Sequence, residues 1–227
     1  VENETLIIKS QDTGSFDNWM DLSKLWDRFN NLITRGSADL KDRIVLYLAD
    51  KEYQQLNISV ATGDITTDPD FVFKAANIAT VTGDIAISQM KELVILNVAT
   101  TTGDIRLADM GIGSSMSVAA VTGDLSFKNM IIRDHADISV TTGDIGLSEV
   151  QGSSITISST TGDINLTSVM ADALTASPTS GDITGQISAD INVNGKSTSG
   201  DVMVPSGTKG NWTVESVSGD VILEGIN

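Results

Sequence analysis

The sequence predicts an all-β protein, a right-handed parallel β-helix (β-solenoid) with coils of 19–20 residues, preceded by an N-terminal amphipathic helix that caps it. Three observations predict this fold class. A Gly-Asp pair recurs nine times, first every 20 and then every 19 residues; apolar and polar residues alternate on both sides of each pair; and the repeated region lacks helical periodicity. Such a period indicates one short coil of chain per repeat, stacked on the next coil.

The nine Gly-Asp pairs, called the corner column below, are interpreted as tight bends between strands. Glycine adopts positive φ without steric cost, and an aspartate can accept hydrogen bonds from backbone N–H groups at a bend. A Thr or Ser precedes every pair, which predicts a row of hydroxyls beside the row of carboxylates. The corner column consists of Gly63 and Asp64, Gly83 and Asp84, Gly103 and Asp104, Gly123 and Asp124, Gly143 and Asp144, Gly162 and Asp163, Gly181 and Asp182, Gly200 and Asp201, and Gly219 and Asp220.

Each pair is followed by apolar residues at alternate positions, as at Ile85 and Ile87, and by another apolar residue three positions later, as at Met90. One coil cannot bury this apolar face alone, so equivalent strands must stack in parallel about 4.8 Å apart. Parallel crossover connections are overwhelmingly right-handed, which predicts the hand. Small residues also take inward positions, namely Ala76, Ala136, Ala176, Gly185 and Gly195, and the last three predict a thinner or less well packed stretch around residues 171–198.

Residues 1–50 lack the repeat and are assigned to an N-terminal region of strands and a capping helix; residues 51–227 are assigned to the solenoid. The capping helix is predicted from apolar residues at three- and four-residue steps, which include Trp19, Leu22, Trp26, Phe29 and Ile33. A cap would cover the open first coil, because exposed edge strands recruit other chains. The alternative is a helix that binds a partner or a membrane surface.

The two ends of the chain carry further expectations. The chain starts at Val1 rather than Met, which suggests that an upstream signal or anchor has been removed. The last segment, "DVILEGIN", begins another coil and then stops. Three explanations stay open: a longer chain, self-association at this C-terminal edge, or an exposed short strand.

Composition excludes several classes of function. The net charge of −16 argues against nucleic acid, which needs a positive surface, and against direct binding to an anionic membrane. The sequence has no cysteine, so disulfides and thiolate chemistry are excluded. His135 is the only histidine and is expected on a corner or loop. We therefore expect no catalytic set, no metal site and no cofactor.

Three alternatives remain for the acidic corners. Stacked carboxylates could bind a row of Ca²⁺ ions, although one Gly and one Asp per coil supply few of the six to eight oxygens that calcium takes. The carboxylates could serve a carbohydrate-active β-helix enzyme, because glycosidases use two carboxylates at comparable separation. A flat threonine array of the ice-binding type is interrupted by Val60, Ala120, Val140 and Pro178.

The repeated "TGDI", which becomes "SGDI" at Ser180 to Ile183 and "SGDV" at Ser199 to Val202 and Ser218 to Val221, resembles the bacterial adhesin-like family of TGDI/SGDI-repeat proteins. The lead-in "RIVLYLADKEYQQLNISVATGDI" is also similar to that family, and the resemblance covers residues 40–227. It implies a right-handed β-helix, often anchored at the bacterial surface and sometimes linked to envelope stress. It transfers no catalytic residues.

These observations together predict a non-enzymatic, extracytoplasmic β-solenoid at the cell envelope or surface. It would act as an adhesin or as a structural or interaction module, with a protein or glycan as its partner. The alternatives are a carbohydrate-active enzyme and a Ca²⁺-stabilised binding module.

Overall fold

A computed structural model describes residues 5–10, 52–67, 71–187, 192–204 and 211–223. These residues form one sheet of 16 strands, and all of the strand pairs are parallel. The strands are β1 (Thr5–Ser10), β2 (Tyr53–Thr62), β3 (Ile65–Thr66), β4 (Phe73–Thr82), β5 (Ile85–Ser88), β6 (Ile95–Thr102), β7 (Ile105–Ile112), β8 (Ser115–Thr122), β9 (Leu125–Thr142), β10 (Ile145–Thr161), β11 (Ile164–Ser180), β12 (Ile183–Ile187), β13 (Asn192–Ser199), β14 (Val202–Val204), β15 (Trp212–Ser218) and β16 (Val221–Leu223).

The strand order is that of a parallel β-solenoid, which confirms the predicted fold class. One row of neighbours runs β1-β2-β4-β6-β8-β9-β10-β11-β13-β15, and a second runs β3-β5-β7-β9-β10-β11-β12-β14-β16. Partners in the coils lie 20 residues apart up to β9 and 19 apart from β10 onward, as predicted from the spacing of the corner column. The nine corners enclose eight turns. The right-handed sense of the winding stays a prediction.

Strand β1 extends the stack at its N-terminal end. Its backbone pairs in parallel with β2, with Thr5 opposite Gln55 and Ser10 opposite Val60. The chain divides into two units, Val1–Gln11 with Lys51–Asn227, and Asp12–Asp50. Strand β1, predicted to belong to the N-terminal region, is thus in the same unit as the coils. The predicted capping helix, with Trp19, Leu22, Trp26, Phe29 and Ile33, lies outside the described residues.

The inward residues of each coil form three groups that meet in the core. In β9, which makes a whole coil, the groups are Leu125 with Phe127, Met130 with Ile132, and Ala136 with Ile138 and Val140. All seven are buried. Inward and outward residues alternate along β9 except at two places, between Phe127 and Met130 and between Ile132 and Ala136. At each of these places the chain turns a corner, and the next inward group begins.

Four of the small residues at inward positions are enclosed in the described structure. Ala76, Ala136 and Ala176 are fully buried. A Cβ built on Gly195 would stand 3.4 Å from a methyl group of Val202 and 3.7 Å from one of Ile183. Larger side chains therefore occupy the space beside Gly195, and the looser packing around residues 171–198 stays a prediction.

Candidate functional site: the corner column and the long face

Every glycine of the corner column has a φ between 136° and 156°, a region that side chains with a Cβ rarely adopt. Stacking adds a second requirement. A Cβ on any of these glycines except Gly63 would collide with the carbonyl group of the glycine one coil earlier, 2.5–2.7 Å from its carbon. The corner thus needs glycine both for its own conformation and for the close approach of the preceding coil.

The aspartates supply an acceptor for a backbone N–H group that loses its carbonyl partner at this bend. Along a regular parallel ladder, the N–H of Asp84 would donate to the C=O of Gly63, as the flanking groups do: Gly63 N–H donates to Thr82 O at 2.8 Å and Ile65 N–H to Asp84 O at 2.8 Å. Instead, Asp84 N–H donates to Oδ1 of Asp64 at 2.8 Å. The carboxylate replaces the carbonyl that the glycine conformation has turned aside.

The same bond joins all eight neighbouring pairs of aspartates, with N···Oδ1 distances between 2.7 and 3.0 Å. The structure therefore brings every predicted corner residue into one continuous column. The carboxylates bond the next coil rather than their own bend, so the stacked corners form a brace between coils. A charged acceptor makes such a bond stronger than a neutral one.

Hydroxyl groups support the corners from a position that the sequence interpretation missed. The Thr or Ser directly before each glycine is exposed in every coil from Thr62 to Ser218. The hydroxyls that reach the glycine carbonyls instead come from residues three positions before a glycine: Thr80 bonds Gly63 O at 3.2 Å, and Ser197 bonds Gly181 O at 3.0 Å. The equivalent Ser159 is 4% exposed, and its hydroxyl has no partner among the described residues.

Among the described residues, Arg106 brings a positive charge to the Asp row. Arg106 lies 2.6 Å from Oδ2 of Asp104 and 3.9 Å from Oδ2 of Asp84. Within the described part of the chain, no three acidic or histidine side chains are grouped so that they could hold a metal ion. Apart from Asp84 and Asp104, whose Oδ2 atoms face Arg106, the second oxygen of these carboxylates is the one that solvent, a cation or a partner could contact.

A second column of backbone strain lies at the next corner. Five residues at equivalent positions have φ between 50° and 57°: Gln89, Asp109, Asn129, Glu149 and Ser168. Asn129 donates to Asp109 at 2.8 Å, and both line a shallow polar groove beside Gly111. In the sequence, this corner is indicated by the step of three residues, instead of two, between the inward residues Ile87 and Met90. One additional residue must point away from the core before the alternation of inward and outward residues resumes.

The outward side of the longer strand row forms a surface that we call the long face. It comprises the four outward residues of each of seven strands, at alternate positions in 55–61, 75–81, 95–101, 115–121, 135–141, 154–160 and 173–179. Nineteen of these 28 residues are Ser, Thr or Ala, and only Asp137 carries a full charge. A chain with a net charge of −16 therefore keeps this seven-strand stretch of its surface almost free of charge.

One histidine–aspartate contact lies on the long face, and one ion pair lies beside it. His135 lies within β9 rather than on a loop, half-buried, with Nε2 2.8 Å from Oδ2 of Asp137. One coil beyond the long face, Lys196 pairs with Glu215 at 2.9 Å.

Other charges lie away from the long face. Lys74 contacts Glu92 at 2.6 Å and Glu52 at 3.4 Å. The hydrogen bond to Glu92 raises the pKa of Lys74 and lowers the pKa of Glu92.

In the part of the chain that the structure describes, no helix is long and apolar enough to cross a membrane.

Comparison with known proteins gives one match. The model of the family described as Toastrack DUF4097 matches residues 29–224, which is most of the chain. No curated protein and no solved structure matches the chain significantly. Because the match spans the whole corner column, the chain belongs to the Toastrack DUF4097 family, a β-helix domain of unknown function.

Proposed function

We propose that this protein is a non-enzymatic β-solenoid module of the bacterial cell envelope, which works by presenting a rigid surface to a protein or glycan. Envelope location and an adhesin or scaffold role follow from the resemblance of the TGDI and SGDV corners to the adhesin-like family. The acidic surface favours a partner other than nucleic acid or a bare anionic membrane.

One observation carries the proposal: the aspartates that could have formed catalytic carboxylate pairs hold the coils together. Oδ1 of each corner-column aspartate from Asp64 to Asp201 accepts the backbone N–H of the corner aspartate one coil later. A general acid or nucleophile has to change its protonation or bonding during the reaction, which would break this brace. The coils from Gly83 to Gly181, which the structure describes throughout, are also uniform in length and carry no inserted loops to wall a substrate cleft.

An activity assay tests the non-enzymatic role. The purified chain is incubated with cell-wall glycan, and reducing ends are measured for the wild type and for Asp124→Asn. We expect no release of reducing ends above background from either protein. Reproducible hydrolysis by the wild type that the substitution abolishes would support the carbohydrate-active alternative instead.

Cell fractionation tests the location. Antibody detection in the producing bacterium, before and after protease treatment of intact and osmotically opened cells, should find the protein in the envelope fraction. Recovery in the cytosol, protected from protease in both preparations, contradicts an extracytoplasmic role.

The calcium-stabilised alternative has a separate test. A cation that binds only the folded state raises the melting temperature by mass action. We expect the same melting midpoint in calcium and in chelator. A midpoint that rises with calcium concentration would assign the outer oxygens of the Asp row to a cation.

A further inference from the structure

We propose that the long face is a self-association surface on which a second copy of this chain docks face to face. This inference rests on the proposed function, because it takes the solenoid to work through its surface. It adds the identity of the partner, which is a second copy of the chain. It differs from edge pairing at the C-terminus, because it uses the outward side chains of seven stacked strands.

Charge is the first argument. Two copies that each carry a charge of −16 repel one another over most approaches. On the long face, the outward positions carry a single carboxylate, at Asp137, and His135 lies 2.8 Å from it. Two copies can therefore come into contact through this face without placing rows of like charges opposite each other.

The side chains themselves suit a flat contact. Ser, Thr and Ala lose little conformational entropy when they are ordered, so the cost of docking is low compared with a surface of Lys and Glu. Aliphatic side chains are exposed among them: Val81 is 54%, Val121 is 49% and Ile95 is 40% exposed. Hydroxyls and methyl groups at matching positions give a surface that can be complementary to itself, which a two-fold dimer requires.

The size of the face matches what a stable dimer needs. Each outward position covers two residues of a strand, so four positions occupy about 26 Å, and seven strands occupy about 34 Å across the stack. The face therefore offers about 890 Å² per copy, close to the roughly 800 Å² per partner of a standard interface. A glycan platform is less well supported, because none of the 28 residues of the long face is aromatic.

The test uses the full chain and measures its mass in solution. Sedimentation analysis from about 1 to about 100 µM should show the mass rising from 23.9 kDa toward twice that value. Raising the salt from about 0.05 to about 0.5 M should strengthen the dimer, because screening reduces repulsion between like-charged copies. A wild-type chain that stays monomeric throughout this range overturns the proposal.

Two matched substitutions locate the interface. Ala119 lies on the middle strand of the seven, in a central column, and is exposed; Ala119→Glu should weaken the dimer at least about tenfold. The control, Ile131→Glu, adds the same charge at a 54% exposed residue outside the long face and should leave the mass unchanged. Circular dichroism checks that both variants fold.

A mixture of two variants gives a test that does not depend on how much each substitution lowers the stability of the folded chain. Ala119→Glu and Ala119→Lys, each weakened alone, should associate when mixed, since opposite charges then meet across the interface. Dimers that persist in both separate variants would place the contact elsewhere and overturn the proposal. Either failure leaves the glycan assay and the cell fractionation unaffected, so the proposed function is judged separately.

Discussion

The middle coils and the last coils of the solenoid share the corner column, but they bury their inward residues differently. The residue directly after each aspartate occupies one column along the stack. Ile145 is 0% exposed in this column, Val202 is 1% exposed, and Val221, in the last described coil, is 44% exposed. The residue type hardly changes, so the coils on either side, rather than the coil's own sequence, provide the burial.

The corner column shows the same dependence on neighbours. The carboxylate of Asp124 receives the N–H of Asp144 at 2.9 Å, and Asp124 N–H is itself bonded to Asp104. Asp220 donates to Asp201 at 2.7 Å, but no later coil among the described residues bonds its carboxylate. This difference shows that the stability of the fold comes from contacts between neighbouring coils, as expected for a repeat protein.

The largest expected effect compares two glycines with nearly the same φ. Gly123→Ala places a Cβ against the carbonyl of Gly103, whereas Gly63→Ala meets only a methyl group of Val60 at 3.6 Å. Left-handed strain of about 1–3 kcal/mol is common to both, and the collision adds roughly 1–3 kcal/mol in the middle coil. Denaturant unfolding should therefore show a clearly greater loss for Gly123→Ala. Equal losses would mean that the bend alone requires glycine.

The next comparison tests burial along the column. Ile145→Ala should lower the free energy of unfolding by about 2–5 kcal/mol, because the side chain is fully enclosed. Val221→Ala should cost under about 1 kcal/mol, since nearly half of this side chain is already in contact with solvent. Thermal or urea unfolding measures both. A large loss at Val221 would show that a further segment or partner covers the last coil in solution.

The smallest effect separates two buried serines in one column. Ser197→Ala removes the 3.0 Å bond to Gly181 O and should cost about 1 kcal/mol. Ser159→Ala removes a hydroxyl without a partner in the described structure and should be neutral or slightly stabilising. Matching losses for the two variants, measured by urea unfolding, would indicate that Ser159 finds a partner in solution.

Much of this fold could be predicted from the sequence because a solenoid repeats its signal. The 20- and 19-residue steps gave the register, and the alternation at Ile85 and Ile87 gave the inward face. The glycines were assigned correctly to sharp bends. The collision with the carbonyl of the preceding coil was not predictable, because it depends on stacking geometry that one repeat does not contain.

The role of the aspartates was harder to predict than their position. A side chain that bonds its own turn and one that bonds the next coil produce the same repeat, so the sequence could not separate an Asx-turn from the brace that joins Asp84 to Asp64. The long face was missed for a related reason. Its residues are 20 or 19 positions apart in the sequence and come together only when the strands stack. Within one repeat, Ser, Thr and Ala form no motif that indicates a common surface.

The central claim is that the aspartates act as hydrogen-bond acceptors for the next coil, and Asp124 provides the most direct test. Asp124→Asn keeps an oxygen that can accept the N–H of Asp144 but removes the charge, whereas Asp124→Ala removes both. The account predicts, from denaturant unfolding, that Ala costs about 1–3 kcal/mol and Asn markedly less. If Asn destabilises the protein as much as Ala does, the charge rather than the acceptor is required, and the structural account of the corner column is contradicted.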